Sequence, residues 1–194
     1  MTQTTLILSS KNFIKMQIFE FPNFVSPLTC DRIKRWLELQ SKQKKNAESF
    51  FDGRTIPFTQ IKDSMTKRLV NKFRFDATMQ AVVTYGDKVY PDYTDLVYWP
   101  TGMKMDVHSD AYFPDGKPGK FPWRKYSGVL YLNDDYQGGL TYFPNQKVSI
   151  NPEKGKLVLF PSDFEHPHGV SMVGSGERYT MPIWFTEDIT KIEV

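Results

Sequence analysis

Residues 126–144 read "YSGVLYLNDDYQGGLTYFP". Two runs of aliphatic, aromatic and β-branched residues flank a cluster of Asn, Asp and Gly, which is the composition of strand, turn and strand. "DDYQGG", ending at Gly139, reads as a hairpin turn before the strand "LTYFP", with its glycines serving backbone geometry. The same texture extends in both directions. "DLVYWP" and "KMDVHSD" precede the stretch, and "KVSI", "GKLVLFP", "GVSMV" and "RYTMPIWF" follow it, separated by Gly, Pro, Asn or Asp. Many short strands at this spacing predict an antiparallel sandwich or barrel, the jelly-roll being the natural form.

Before Pro91 the pattern is helical. "MQIFEFPNFVS" reads as a short strand and turn, after which Ser26 is placed as an N-cap and Pro27 at the first helical position. Ile33, Trp36, Leu37 and Gln40 follow at helical spacing. A second helical region is predicted from about Gln60 to Asp87, with Ile61, Met65, Leu69 and Phe73 recurring every four residues as core positions. Helices first and strands later give an α+β, mainly β layout, with N-terminal helices packed on one sheet. The 194 residues fit a single domain: an extension at 1–15, a helical support region at 16–90 and a jelly-roll core at 91–187.

The formal net charge of +3 provides no broad basic stripe, which makes a nucleic-acid partner the weaker reading. "SKQKKN" at 41–46 reads as a solvated face. "DGKPGKFPWRK" at 115–125 interleaves Phe121, Trp123, Arg124 and Lys125, as a loop that binds a peptide or nucleic acid would, and equally as a plain surface loop. One cysteine, Cys30, excludes an internal disulfide and a thiolate metal cluster, and a reducing cytoplasm is the simplest setting. The apolar runs are too short for a membrane span, and Leu6 to Leu8 is too short for the core of a secretory signal.

The chain has three histidines, so any imidazole chemistry draws on His108, His166 and His168. "MDVHSD" at 105–110 sets a histidine and a carboxylate two residues apart. In an extended strand such residues share a face, so His108 and Asp110 present imidazole and carboxylate to one metal while Ser109 points away. For oxygen chemistry Fe(II) takes two histidines and one carboxylate on one face, leaving three positions open. The third ligand must come from "EHPHGV", where His166 and His168 both stand. Alone, the His-x-Asp spacing is a weak signal.

Its neighbours strengthen it. "YWPTGMKMDVHSD", "SGVLYLNDDYQGGLTYFP", "INPEKGKLVLFPSDFEHPHGV" and "GSGERYTMPIWF" occur in an order and at spacings that resemble the prolyl 4-hydroxylase-like branch of the 2-oxoglutarate- and Fe(II)-dependent dioxygenases, over roughly Asp95 to Phe185. The resemblance implies a double-stranded β-helix, a jelly-roll with the metal at its open end. It implies His108, Asp110 and His168 as iron ligands and catalytic residues. His168 is the match because a basic residue, here Arg178, stands ten positions later; His166 becomes a neighbour at the mouth. Arg178 matches the residue that holds the distal carboxylate of 2-oxoglutarate, and Tyr131 matches a tyrosine sharing that carboxylate. Tyr98 matches one near the keto-acid end, and Thr141 and Asn133 are further candidates for lining the pocket.

Trp184 matches a position near the substrate mouth. Trp123 and Arg124 lie in the segment Ala111 to Tyr126, which is expected to form a lid over an extended chain. Strand parity sets Arg178, Thr180, Pro182 and Trp184 on one face, with Tyr179, Met181, Ile183 and Phe185 on the other. The complement implied is Fe(II), 2-oxoglutarate as cosubstrate, O2, and ascorbate as reductant. The activity implied is hydroxylation of a C–H bond, foremost in peptidyl proline, with release of succinate and CO2. A free amino acid or other small molecule is the alternative substrate, and a non-catalytic jelly-roll binding module is the alternative outside the enzymes. Two positions depart from the pattern: Met105 stands where many relatives carry tyrosine, and Pro182 removes a ladder donor, which predicts an edge or a bulge there. Asp110 argues against the related halogenases, which lack this carboxylate.

Overall fold

The computed structural model describes residues 17–41 and 54–193. The expected extension at 1–15 and the lysine-rich run from 42 to 46 lie outside them. Helix α1 (Pro27–Ser41) begins as its sequence directs: Ser26 Oγ accepts the Thr29 N–H at 3.3 Å, and the Cys30 N–H donates to Ser26 O at 3.1 Å. Cys30, Ile33 and Leu37 are its buried residues. Helix α2 (Ser64–Tyr85) is capped by Asp63, whose carboxylate accepts the Thr66 N–H at 2.7 Å, and it ends on left-handed Gly86.

α2 starts later than the periodicity predicts, and its buried line shares Phe73 with the predicted row, with Leu69 packed half-buried beside it. Thr66, Val70, Phe73, Arg74, Ala77 and Ala81 face inward, and Met65 is exposed. A helix turns every 3.6 residues, so a row of strict fours drifts by about 40° per step and cannot stay on one face. Ile61 is buried, from the turn before the helix.

Among the described residues twelve strands build the rest: β1 (Phe19–Phe21), β2 (Thr55–Pro57), β3 (Tyr90–Trp99), β4 (Met105–His108), β5 (Arg124–Tyr131), β6 (Gln137–Gly138), β7 (Thr141–Phe143), β8 (Val148–Ile150), β9 (Leu157–Pro161), β10 (His168–Val170), β11 (Val173–Ser175) and β12 (Arg178–Thr186). The major sheet runs β1-β9-β5-β12-β3-β2 and the minor sheet β4-β10-β7-β8, all antiparallel, with β6 and β11 paired separately. These two sheets make the jelly-roll. Both edges of the major sheet come from the helical region, which therefore contributes to the core sheet as well as supporting it.

The parity of β12 organises the layers. Tyr179, Met181, Ile183 and Phe185 join Ile33, Leu37, Val70 and Phe73 in the core under the helices. On the inner side, Tyr131, Phe143, Ile150, Val158 and Phe160 fill the space between the sheets. Side chains of this size contribute roughly 1.5–3 kcal/mol each on full burial.

Two local expectations are corrected. "DDYQGG" is not a hairpin turn: β5 belongs to the major sheet and β7 to the minor one, so the chain crosses between sheets there and pairs with β11 on the way. Gly138 (φ 72°) and Gly139 (φ 60°) permit the crossing, and a Cβ at Gly138 would sit 2.2 Å from Met172 O. Pro182 lies at neither an edge nor a bulge. It sits in central β12, where pairing with β5 continues through Pro182↔Val129. Pairing with β3 skips from Thr180↔Val97 to Ile183↔Thr94. The missing N–H leaves a gap in one ladder, and the register shifts come later, around Phe185.

Candidate active site

His108 ends β4 and His168 begins β10, and the antiparallel register sets them opposite each other. Asp110 lies in the bend beyond β4, so strand parity does not place it. The bend is pinned by the Ala111 N–H, which donates to Ser162 O at 3.0 Å. Asp110 Oδ1 is 3.7 Å from His108 Nε2, and Oδ2 is 3.7 Å from His168 Nε2. The three residues offer ligand atoms that all lie within 4.8 Å of one another.

Each ring is fixed by the main chain. His108 Nδ1 is 3.0 Å from Asp106 O and His168 Nδ1 is 3.3 Å from His166 O. A carbonyl only accepts, so each Nδ1 carries the proton and each Nε2 lone pair is left for a metal. Ser127 Oγ donates to Asp110 Oδ2 at 2.6 Å and lies 2.7 Å from Ser162 Oγ. Burial by itself would raise the Asp110 pKa, but His168, His108 and the Ser127 hydroxyl together hold it below the usual carboxylate value. Burial pushes His168 down to about 4 against the opposing pull of Asp110. A neutral imidazole and an ionised carboxylate are the forms a metal requires. His166 stands outside this group, with Nδ1 2.7 Å from Asp163 Oδ1.

The triad borders a cavity of about 730 Å³ that Arg178 also lines. Arg178 is 1% exposed, and its Nη2 donates to Thr141 Oγ1 at 3.2 Å. Thr141 in turn accepts the Tyr131 hydroxyl at 2.8 Å. Arg178 Nε and Nη1 are buried without a well-formed hydrogen bond, and so is the Tyr136 hydroxyl, which lies close enough to the guanidinium to interact with it. Unsatisfied donors of a buried guanidinium call for an acceptor, and an anionic oxygen such as a carboxylate's meets both the charge and the hydrogen bond. The residues present therefore fit both a metal and a carboxylate cosubstrate.

Several residues singled out in the sequence point elsewhere. Tyr98 donates its hydroxyl to Glu177 Oε1 at 2.7 Å and packs on Tyr179, on the helix side of the sheet. Its neighbour Trp99 faces the cavity, with the Arg178 guanidinium 4.8 Å above its ring and Nε1 donating to Thr180 Oγ1 at 3.2 Å. Asn133 is outside the cavity, accepting the Tyr179 N–H at 2.8 Å and donating to Glu177 O at 2.7 Å. Trp123 is outside it too, its Nε1 donating to Asp92 Oδ1 at 2.9 Å. Arg124 and Trp184 do line the cavity. Arg124 Nε donates to Asp92 Oδ2 at 2.9 Å, and its guanidinium lies 4.0 Å from the Phe121 ring centroid and 4.2 Å from that of Trp184. Tyr112, Phe113, Gly119 and Phe121 bring the expected lid segment to the mouth.

Sequence reasoning missed Trp99, Ser127 and Tyr136. Parity contained the signal for two of them. Trp99 shares a strand face with Val97 and Asp95, and Ser127 shares one with Val129 and Tyr131. Tyr136 lies in the segment read as a turn and carried no such signal.

A jelly-roll that gathers two histidines and a carboxylate beside a buried, half-satisfied arginine is the framework of a non-haem iron oxygenase that uses a 2-oxo acid. The model of the 2OG-Fe(II) oxygenase superfamily matches residues 94–186. Those residues are therefore similar to the 2OG-Fe(II) oxygenase superfamily, a family that implies Fe(II), 2-oxoglutarate and O2. Prolyl 3-hydroxylase 1 of Gallus gallus is 40% identical over 77 residues, 37% of this chain and 11% of that protein. Prolyl 3-hydroxylase 3 of Homo sapiens is 44% identical over 75 residues, 36% of this chain and 10% of that protein. The chain thus spans about a tenth of the length of these relatives.

Among solved structures, the fold is similar to a Pseudomonas putida prolyl-4-hydroxylase (TM-score 0.68, 18% identity, 92% of this chain and 97% of that one). It is also similar to the viral collagen prolyl hydroxylase of Paramecium Bursaria Chlorella virus-1 in its 2OG complex (TM-score 0.66, 19% identity, 88% and 95%). Among the described residues no helix is long and apolar enough to cross a membrane.

Proposed function

We propose that the chain, acting as one unit, is an Fe(II)- and 2-oxoglutarate-dependent oxygenase that hydroxylates a prolyl residue in a peptide or protein. The carrying observation is Arg178, buried with two donors that lack a well-formed hydrogen bond, in the same cavity as His108, Asp110 and His168. His108, Asp110 and His168 would hold the iron. Arg178 would grip the distal carboxylate of 2-oxoglutarate, with Thr141, Tyr131 and Tyr136 around it and Trp99 beneath. When bound, the iron and its cosubstrate supply oxidation of a C–H bond to C–OH by O2, coupled to conversion of 2-oxoglutarate to succinate and CO2.

The protein's own part is position and shielding. Ser127 orients Asp110, the main-chain carbonyls fix both imidazoles, and Trp184, Arg124 and the loop around Phe113 wall the mouth against water. The sequence similarity to prolyl 3-hydroxylases and the fold similarity to prolyl hydroxylases support the substrate class. The single buried Cys30 supports a cytoplasmic setting.

The test is succinate release by the anaerobically iron-loaded protein given 2-oxoglutarate, O2 and ascorbate, with and without proline-rich peptides, beside Arg178→Ala. Peptide-stimulated succinate and a product heavier by one oxygen establish the activity, and the product's ring position identifies the carbon. Stimulation by free L-proline alone would move the substrate to the small molecule. If neither 2-oxoglutarate turnover nor a 2-oxoglutarate-dependent rise in melting temperature occurs, the fold is a binding module.

A further inference from the structure

The cavity also contains a carboxylate that has no place among the metal ligands or around Arg178. Asp95 lies on β3, and with Tyr93, Val97 and Trp99 it lines the cavity. Its Oδ1 is buried and takes no hydrogen bond, while the Tyr93 hydroxyl is the hydrogen-bonding neighbour of the side chain. Arg124 is the nearby cation, but it is paired with Asp92 and held between Phe121 and Trp184. A buried carboxylate oxygen without a donor is costly, and native proteins keep such groups where something else completes them.

The register places this oxygen in the substrate half of the cavity. Arg178 pairs with Trp99 and Trp184 with Tyr93, so Asp95 stands level with Pro182, between them. Asp95 and Trp99 stand four positions apart along the strand, about 13 Å at roughly 3.3 Å per residue. A five-carbon dicarboxylate held at Arg178 does not need a group so far away, and a second anion would repel it. What remains at that level is the wall of Arg124, Pro182 and Trp184, which the hydroxylase reading gives to the substrate.

We propose that Asp95 is a specificity-determining residue that accepts an N–H of the substrate, an inference that rests on the hydroxylase reading above. Burial holds its carboxyl up at about 6, so at neutral pH it is largely ionised and ready to accept. Within a chain a prolyl nitrogen carries no hydrogen, so the donor is the amide of an adjoining residue. In free proline it is the ring ammonium. Both present the same chemistry, an N–H directed at a carboxylate beside the ring to be oxidised.

The experiment compares wild type, Asp95→Leu and Asp95→Asn. It reads melting temperature, 2-oxoglutarate affinity, and KM for a proline-rich peptide and for L-proline. Asp95→Leu is expected to raise KM for the true substrate about 10- to 100-fold, the value of a charge-assisted hydrogen bond. Its melting temperature should rise, because a buried charge with one oxygen left without a donor is gone. Asp95→Asn identifies the donor: a peptide amide tolerates it within about fivefold, whereas a ring ammonium loses nearly as much as with Leu. An unchanged KM in Asp95→Leu overturns the proposal. So does a fall in melting temperature in both variants, with or without turnover, because Asp95 would then be a structural residue. Failure of the wild type to bind 2-oxoglutarate would instead refute the hydroxylase reading, and the melting temperatures would still decide whether Asp95 is an unmet acceptor.

Discussion

His108 and His168 face each other across the β4–β10 pair with ring centroids 4.6 Å apart, and Asp110 meets both from a bend. Two ligands are thus fixed by sheet hydrogen bonds and the third by the Ser127 hydroxyl. Ser127→Ala should weaken Fe(II) or Co(II) binding about 10- to 100-fold, the usual effect of losing an outer partner of a metal ligand, with the fold retained. Anaerobic metal titration checks this, and unaltered affinity would mean that the bend alone orients Asp110.

Gly139 guards the arginine. It has φ +60°, and a Cβ there would lie 3.0 Å from Arg178 Cδ and 3.1 Å from Tyr136 Cε2. Gly139→Ala is expected to lose about 1 kcal/mol of stability or more through the left-handed backbone, and to weaken 2-oxoglutarate several-fold by displacing the guanidinium. Thermal unfolding with and without 2-oxoglutarate separates the two effects, since only the second reduces the ligand-induced shift.

Asp92 joins Trp123 and Arg124 to the sheet, and the Asp92 and Arg124 side chains are 8% and 7% exposed. Asp92→Ala leaves a buried guanidinium unpaired and should lose roughly 3–5 kcal/mol in urea unfolding. Asp92→Asn, which keeps an acceptor for one of the two donors, should lose less. Equal small losses in both would show that stacking on Phe121 and Trp184 holds Arg124 in place.

Asp95 gives stability a pH signature. Its folded value, raised by burial to about 6, exceeds the roughly 3.9 of an unfolded aspartate. The folded state therefore keeps a proton that the unfolded state has released, so this contribution is fully present below about pH 4 and is lost as pH rises through 6. Arg124, Tyr93 and Glu193 are the charged or titratable groups that act on it. Asp95→Asn should gain on wild type from pH 4 to 6 and hold that advantage above it. Parallel stability curves for the two proteins would contradict the raised value.

Strand composition made the jelly-roll legible, and the alternation along "RYTMPIWF" separated the cavity face from the helix face residue by residue. Spacing also singled out His108 and Asp110, although a bend rather than strand parity brings Asp110 to the site, and Arg178 came into view through the family resemblance. The remainder depends on which way a strand faces, and one residue of phase reverses that: Tyr98 was singled out where Trp99 lines the cavity. Composition alone also fails to distinguish a hairpin from a crossing between sheets, because both need glycines with positive φ, so Tyr136 was lost inside "DDYQGG". Met65 misled because a row of fours imitates a helical stripe for only two turns.

The two outer strands of the major sheet, β1 beside β9 and β2 beside β3, come from residues 19–21 and 55–57. The segment bearing the oxygenase signature, 94–186, contains neither. Cut free, it would present two rows of bare backbone N–H and C=O groups, a template for intermolecular pairing. The catalytic signature and the cooperative folding unit therefore have different boundaries, and a fragment trimmed to the signature is expected to aggregate before its chemistry can be assayed.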